Sequence, residues 1–450
     1  MHLQRIRVPD FRVLKDVDIT FENNFVPRIF PLGSLNGGGK STLLQLIFTL
    51  LHCSNAPEKK PFLQNFLYGF KLRDDSTKRT LAIIDIWENS KVFSLDFFCC
   101  KASYITRQWQ VNDDLILPKH FPLFLTVKIL SETSIEFDNI DHTKLANKIE
   151  NRIINYYKEN KIAIKDTKNM VKGYLNLLIN IKPSLSKIRK YIESNCLIFI
   201  SDYRVENKEK NIFLCRIDGL NIPKISDSKS FVNNLQKKIF IAVPSTQVFL
   251  FMAQNDRELL LKSDSNQKNR YYSQLQSTKA QLRNLFTYDF FAVDILIQAF
   301  KDARDRDFRE AIETGEYGNH YQRLKNELNQ MLFNKKINID KDLNGVNFTL
   351  DRNGETIELS PEDLSHGELK RLSIYMWLKH YNIEDAIVLM DEIEIAFHPD
   401  WQYQIIRDLQ EWAPNNQYIL ATHSYELCQA LTPAHVKELE PKLIKQDPEN

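Results

Sequence analysis

The chain has 450 residues, 43% of them hydrophobic and 26% charged, which fits a soluble globular protein with one large core, or with a core domain and a second one inserted. Its formal net charge of +2 exerts no global pull on nucleic acid or membrane, so any such contact needs a local patch. The six cysteines form no CxxC pair and no zinc-spaced Cys/His cluster, which argues against a structural zinc or a redox motif and for a reducing compartment.

The N-terminus, MHLQRIRVPD, has no apolar signal region. Residues 3 to 21 alternate apolar and polar positions in two short runs, marked by Ile6 and Val8 and then by Val17, Ile19 and Phe21, and predict an antiparallel pair. VPRIFPLG predicts a strand leading into the glycine-rich run GSLNGGGKST (Gly33 to Thr42), and STLLQLIFTLLH predicts a buried helix directly after it. TLAIIDIW, VFSLDFF and YITRQW predict a meander of antiparallel strands, with Cys99 and Cys100 as packing residues.

From Asp141 to Asn195 the chain turns Lys- and Asn-rich with helical periodicity. That segment holds 12 Lys or Arg against 5 Asp or Glu, and two readings fit it: a DNA or RNA contact surface, or a solvated helical face. CLIFISDY and NIFLCRID read as short strands. Ile239 to Ala253 is too short to cross a bilayer and reads as two strands, or a strand and a turn. Cytoplasmic residence, with no membrane partner, is the expectation.

Ala292 to Met331 is helical and charge-laced, and Asn353-Gly354 predicts a hairpin turn within Ile337 to Leu359. The remainder alternates helix and strand. No internal repeat appears, and no heptad run is long enough for an extended coiled coil.

The glycine-rich run carries chemistry. A nucleoside triphosphate packs several negative charges into a small volume, and a glycine turn points backbone N–H groups at them while the following helix adds its dipole. Gly37, Gly38 and Gly39, with Asn36 and Thr42, would form that cradle. Lys40 would reach the β- and γ-phosphates, and Ser41 would place its hydroxyl on Mg²⁺. The standard pattern has glycine six residues before the lysine, where this chain has Ser34.

Ile387 to Met390 is a continuous apolar run, as suits a parallel strand buried on both faces, and it ends in Asp391-Glu392. Carboxylates at that end lie where such sheets bind ligands. Asp391 would hold Mg²⁺ and Glu392 would orient and deprotonate a water. Alone, this acidic pair is equally a structural feature, and its partners give it meaning. LSHGE (Leu364 to Glu368) reads at least as a helix N-cap at Ser365. YILATHS (Tyr418 to Ser424) reads as a buried strand with His423 at its end.

Together these pieces resemble an ABC-type AAA ATPase of the RecF/Rad50/SMC-like branch. The resemblance is carried by residues 1 to 60 and 340 to 430. It implies an α/β fold: a P-loop ATPase head with a mixed-sheet lobe and an inserted, largely helical region. Its implied parts are an N-terminal lobe at 1–135, a mainly helical insertion at 136–335 and a C-terminal lobe at 336–450. LSHGE matches the family's signature loop, with Ser365 and Gly367 in place and His366 where glycine is more usual. The loop implies contact with the γ-phosphate held by a second copy. His423 matches the histidine that senses that phosphate.

EIAFHPDWQ (Glu394 to Gln402) resembles the family's DEPE…HP continuation and puts Asp400 near the segment that crosses the dimer interface. A pocket glutamine is also implied, with Gln64, Gln108 and Gln110 as candidates.

Function follows as an expectation: ATP hydrolysis with ATP and Mg²⁺ in a head-to-tail homodimer. About 27 residues follow His423, so the expectation is that no nuclease domain stands behind it. The further expectation is therefore a regulatory ATPase of a bacterial antiphage complex with a separate nuclease effector. A DNA-repair ATPase, or an ATP-binding scaffold with little turnover, stands as the alternative.

Overall fold

A computed structural model describes residues 1–34, 37–72, 76–101, 104, 192–203, 211–219, 225–248, 251–252, 276–288, 292–352 and 355–439. Asn36, Gln108, Gln110, the Asn353-Gly354 pair and nearly all of 141–195 lie outside them.

Three sheets organise the described chain. The first is antiparallel and comprises β1 (His2–Phe11), β2 (Leu14–Thr20), β4 (Lys78–Glu88), β5 (Lys91–Lys101), β6 (Leu197–Tyr203) and β7 (Asn211–Asp218), in the order β2-β1-β4-β5-β7-β6. The predicted alternation places Ile6 opposite Ile19 and Val8 opposite Val17, all four facing the core.

The second sheet is parallel. It comprises β3 (Ile29–Gly33), β8 (Ile239–Val243), β9 (Leu285–Thr287), β13 (Ile387–Asp391), β14 (Gln417–Ala421) and the short β15 (Lys437–Glu438), in the order β15-β3-β14-β13-β8-β9. The third is an antiparallel meander of β10 (Lys335–Ile339), β11 (Val346–Arg352) and β12 (Glu355–Leu359). Arg352 pairs with Glu355, so the strands turn back where the hairpin is predicted.

The range 136–335 thus contributes β6 and β7 to the first sheet and β8 and β9 to the second. Around the sheets lie α1 (Lys40–Cys53), α2 (Lys60–Phe66), α3 (Ile225–Lys237), α4 (Ser245–Val248), α5 (Ala292–Thr314), α6 (His320–Met331), α7 (His366–His380), α8 (Pro399–Trp412) and α9 (Tyr425–Gln429).

Why β13 is apolar throughout is visible in the packing. Ile387 and Leu389 enter one core with α1 and the first sheet, while Val388 and Met390 enter the other with α5, α7 and α8. A strand filled on both faces has no solvent side to alternate with. Helix α1 is buried along nearly its whole length between the first two sheets, so it is largely apolar all round, with Gln45, Thr49 and His52 as the buried polar exceptions beyond its first turn.

Buried polar groups register these layers. Gln417 of β14 accepts from the Leu3 backbone N–H at 2.7 Å and donates to the Leu3 carbonyl at 2.8 Å, acting as a strand edge for β1. Asn416 accepts from Ala386 N–H at 3.0 Å and donates to the Ile383 carbonyl at 2.8 Å, fixing the entry to β13. No helix among the described residues is long and apolar enough to cross a membrane.

Candidate functional site

The parallel sheet aligns its strand ends. Leu32 pairs with Ala421, Ala421 with Asp391, and Met390 with Ala242. Four loops therefore leave at one edge: the glycine loop after β3, the loop to α4 after β8, the turn after β13, and the segment holding His423 after β14.

Gly39 caps α1 at φ +92°, a left-handed conformation that strains any side-chain-bearing residue. A Cβ there would also sit 2.7 Å from Leu14 Cδ2 and 2.9 Å from Val13 Cγ2. The first hairpin therefore presses on the glycine loop, and only glycine fits between them.

Lys40 opens α1 and is 6% exposed. Its ammonium donates to the Ser34 carbonyl at 3.1 Å and to Ser34 Oγ at 3.2 Å. Serine in place of the usual glycine thus gives the lysine a resting partner. Burial lowers the Lys40 pKa, and the nearby carboxylates of Glu394, Asp391 and Glu392 oppose that shift.

The two distant pieces of the sequence meet at one hydrogen bond. Ser41 Oγ donates to Asp391 Oδ1 at 3.1 Å across 350 residues of chain. Asp391 is 2% exposed, and its Oδ2 has no hydrogen-bond partner. A buried carboxylate oxygen without a partner costs free energy unless a cation or donor reaches it. A serine hydroxyl and a carboxylate are the hard oxygen donors that Mg²⁺ takes alongside phosphate and water, so these residues fit the ion.

Burial pushes the Asp391 pKa up to about 7, with Glu392 and Glu394 adding to the rise against Ser41 and Lys40. An acid whose pKa rises on folding stabilises the fold fully only below its unfolded value. Stability is then lost as pH rises from about 4 towards about 7, by a few kcal/mol. Asp391→Asn, without metal or nucleotide, is expected to melt several degrees above the wild type at pH 8, the gap closing towards pH 4. Scanning calorimetry across that range checks it, and parallel melting curves would remove the raised pKa.

Glu392 stands at φ +52°. Its N–H donates to the Ala421 carbonyl at 2.9 Å, and its own carbonyl accepts from Lys370 Nζ at 3.1 Å. The neighbouring Glu394 is 9% exposed; Oε1 accepts from the His423 N–H at 2.7 Å, and Oε2 is buried without a partner. His423 itself is exposed at the edge.

Ser365 caps α7 with a reciprocal box. Its Oγ accepts from Glu368 N–H at 3.2 Å, and Glu368 Oε2 accepts from Ser365 N–H at 3.0 Å and from Ser365 Oγ at 2.9 Å. Burial raises the Glu368 pKa, but hydrogen bonds from Lys335 and Ser365 outweigh it and hold the carboxyl below the usual range. Ser365 and His366 are exposed, and Gly367 is buried against the turn after β13. Asp400, in the first turn of α8, is also exposed.

The glutamine candidates resolve differently. Gln64 lies on α2 and donates to Ser201 Oγ at 3.3 Å, on the first sheet. Gln247 on α4 instead accepts from Gln45 Nε2 at 3.1 Å, one helical turn beyond Ser41 on α1. Sequence reading did not single out Gln247, Glu394 or Lys370, which the structure brings to this edge of the sheet. The signal for Gln247 was a polar break, Pro-Ser-Thr-Gln, directly after an apolar strand.

A glycine loop feeding a buried helix, bonded to the end of a parallel strand that carries Asp-Glu, defines a P-loop ATPase head. The chain belongs to the AAA ATPase domain family, whose match covers residues 1–428. It is similar to the retron Vc95 probable ATPase of Vibrio cholerae serotype O1 biovar El Tor, at 31% identity over 103 residues, 20% of each chain. It is also similar to the retron Ec83 probable ATPase of Escherichia coli, at 44% identity over 46 residues, 10% of this chain and 8% of that one. The matches thus span a fifth or less of those relatives' lengths.

Among solved structures, a Pyrococcus furiosus Smc head domain with an extended coiled coil, bound to the C-terminal domain of ScpA, aligns over 95% of this chain and 91% of that one. Its identity is 10% and its TM-score 0.31.

Proposed function

We propose that this chain is an ATP-hydrolysing switch whose nucleotide is clamped between two copies. The observation that carries the reading is the Ser41–Asp391 hydrogen bond, which joins the glycine loop to the acidic strand end in one site. In this reading Gly37, Gly38, Gly39, Lys40 and Thr42, with Asn36, hold the phosphates. Ser41 and Asp391 hold Mg²⁺, which when bound neutralises charge on the phosphate oxygens. Lys40 exchanges Ser34 for the phosphates. Gln247 takes the place of the pocket glutamine, bridging α4 and α1.

Glu392 takes a proton from the attacking water, and His423 contacts the γ-phosphate from the neighbouring strand end. Ser365 is exposed at the start of its capped helix with Gly367 packed behind it, so the phosphate this loop meets belongs to a second copy. The physics is again an anion at a helix N-terminus.

Two relatives named as retron probable ATPases support placing the chain as the ATPase subunit of a multi-component defence complex. The resemblance in the motifs adds a separate nuclease effector and a cytoplasmic setting. Nucleotide-dependent self-association tests the core of the proposal. Mg²⁺ with ATP, but not with ADP, is expected to convert monomer to dimer in sedimentation velocity. Unchanged sedimentation with ATP demonstrably bound would overturn it.

A further inference from the structure

Helix α7 reaches from the exposed cap at Ser365 to the backbone of Glu392. Two contacts attach it there, on one face because they lie three residues apart. Gly367 comes first: a Cβ at that position would lie 2.8 Å from the Ala396 carbonyl oxygen and 3.3 Å from the Trp401 ring. Lys370 comes next. It is 5% exposed, and its ammonium donates to the Glu392 carbonyl at 3.1 Å and to the Ile395 carbonyl at 3.0 Å. The same ammonium lies 4.0 Å from the Tyr288 ring centroid and 5.4 Å from that of Phe397, on faces that attract cations.

The segment so held is an unusual one. Glu392 and Ala396 both have positive φ, +52° and +71°, without being glycine. Such a conformation persists only where its surroundings enforce it. Here the enforcement comes from the Ala421 carbonyl on one side and Lys370 on the other. A buried ammonium needs acceptors, and two of those available to it are carbonyls of this turn.

We propose that Lys370 is a positioning residue that couples the phosphate-sensing cap of α7 to Glu392 of the same chain. Engagement of Ser365 by the nucleotide of a second copy moves the start of α7. Through Lys370 that movement sets the backbone of Glu392, so each site is primed by its partner's nucleotide. This inference rests on the function proposed above and adds a residue and a direction of coupling to it.

The test is a double-mutant cycle of Lys370→Met with Ser365→Ala, read as kcat and, separately, as ATP affinity from a fluorescent analogue. Methionine keeps the length and bulk of the stem and removes the charge and donors. Lys370→Met is expected to lower kcat by about 30-fold and to leave ATP affinity within about twofold, since the phosphate cradle is untouched. Adding Ser365→Ala is then expected to cost much less than it does in the wild type, because the route it feeds is already cut. Wild-type kcat in Lys370→Met, additive effects in the cycle, or an equal loss of ATP affinity would each overturn the coupling. If the Met variant does not fold, the same cycle with Lys370→Gln, which removes the charge and shortens the reach, decides, non-additivity for the proposal and additivity against it. Glu392→Gln assayed in parallel separates the two levels. An active Lys370→Met beside an inactive Glu392→Gln removes only this inference, whereas an active Glu392→Gln removes the reading beneath it.

Discussion

Glu392→Gln is expected to lower ATP turnover by about 10³-fold while ATP still binds, leaving a stable nucleotide-bound dimer. A positioned general base contributes roughly 10²- to 10⁴-fold, and about 10³-fold corresponds to about 4 kcal/mol of barrier. The substitution is nearly isosteric, and what holds residue 392 is backbone: its N–H to Ala421, and its carbonyl to Lys370 and to the Ile395 N–H at 3.3 Å. None of those bonds uses the side chain. Glutamine therefore inherits the position and the left-handed backbone but cannot take the proton. The phosphate-binding groups lie on a different element, α1 and its loop, so affinity is expected to stay within a few-fold. Turnover within about threefold of wild type would show that proton transfer runs elsewhere. Loss of ATP binding in proportion would show that the variant had damaged the site as a whole.

Much of this site was legible because its parts sit at fixed offsets along the chain. Lys40 and Ser41 follow a glycine turn, and Asp391 and Glu392 end an apolar run whose two-faced burial the packing explains. Ser365 was recognisable as a cap because capping is local, complete within Ser365 to Glu368. The strands β6 and β7 were legible as strands for the same reason.

Their membership of the first sheet was not, since pairing with β5 is decided by contacts more than a hundred residues apart. Gln247, Glu394 and Lys370 escaped for the same cause. Gln247 gains meaning from Gln45, Glu394 from His423, and Lys370 from a turn that follows a different strand. Buried polar residues of this kind carry no periodic signal. Gln417, in an otherwise apolar strand, reads as an interruption until Leu3 is seen beside it.

Mixing two inactive variants is expected to restore hydrolysis, and this outcome separates a shared site from one contained in a single chain. Lys40→Ala removes the buried ammonium among the site carboxylates, and each site of its homodimer lacks the cradle lysine. Ser365→Arg fills the outward cap with a bulky cation, and each site of its homodimer lacks the facing hydroxyl. Losing the cap costs about 1 kcal/mol, too little to unfold a core of this size. In the mixed dimer the intact Lys40 of one chain faces the intact Ser365 of the other, while the opposite site carries both defects. Random pairing makes about half of the dimers mixed with one good site each, so an equimolar mixture is expected to regain up to about a quarter of wild-type turnover, and about 30-fold less than that where the good site's own cap must also be engaged through Lys370. The recovery is expected to follow the product of the two concentrations at fixed total protein, which a single-chain site cannot imitate. No recovery, with mixed dimers shown to form by differently tagged pull-down, would place Ser365 and the phosphate it meets in the same chain. That result would return the exposed cap of α7 to a purely structural part.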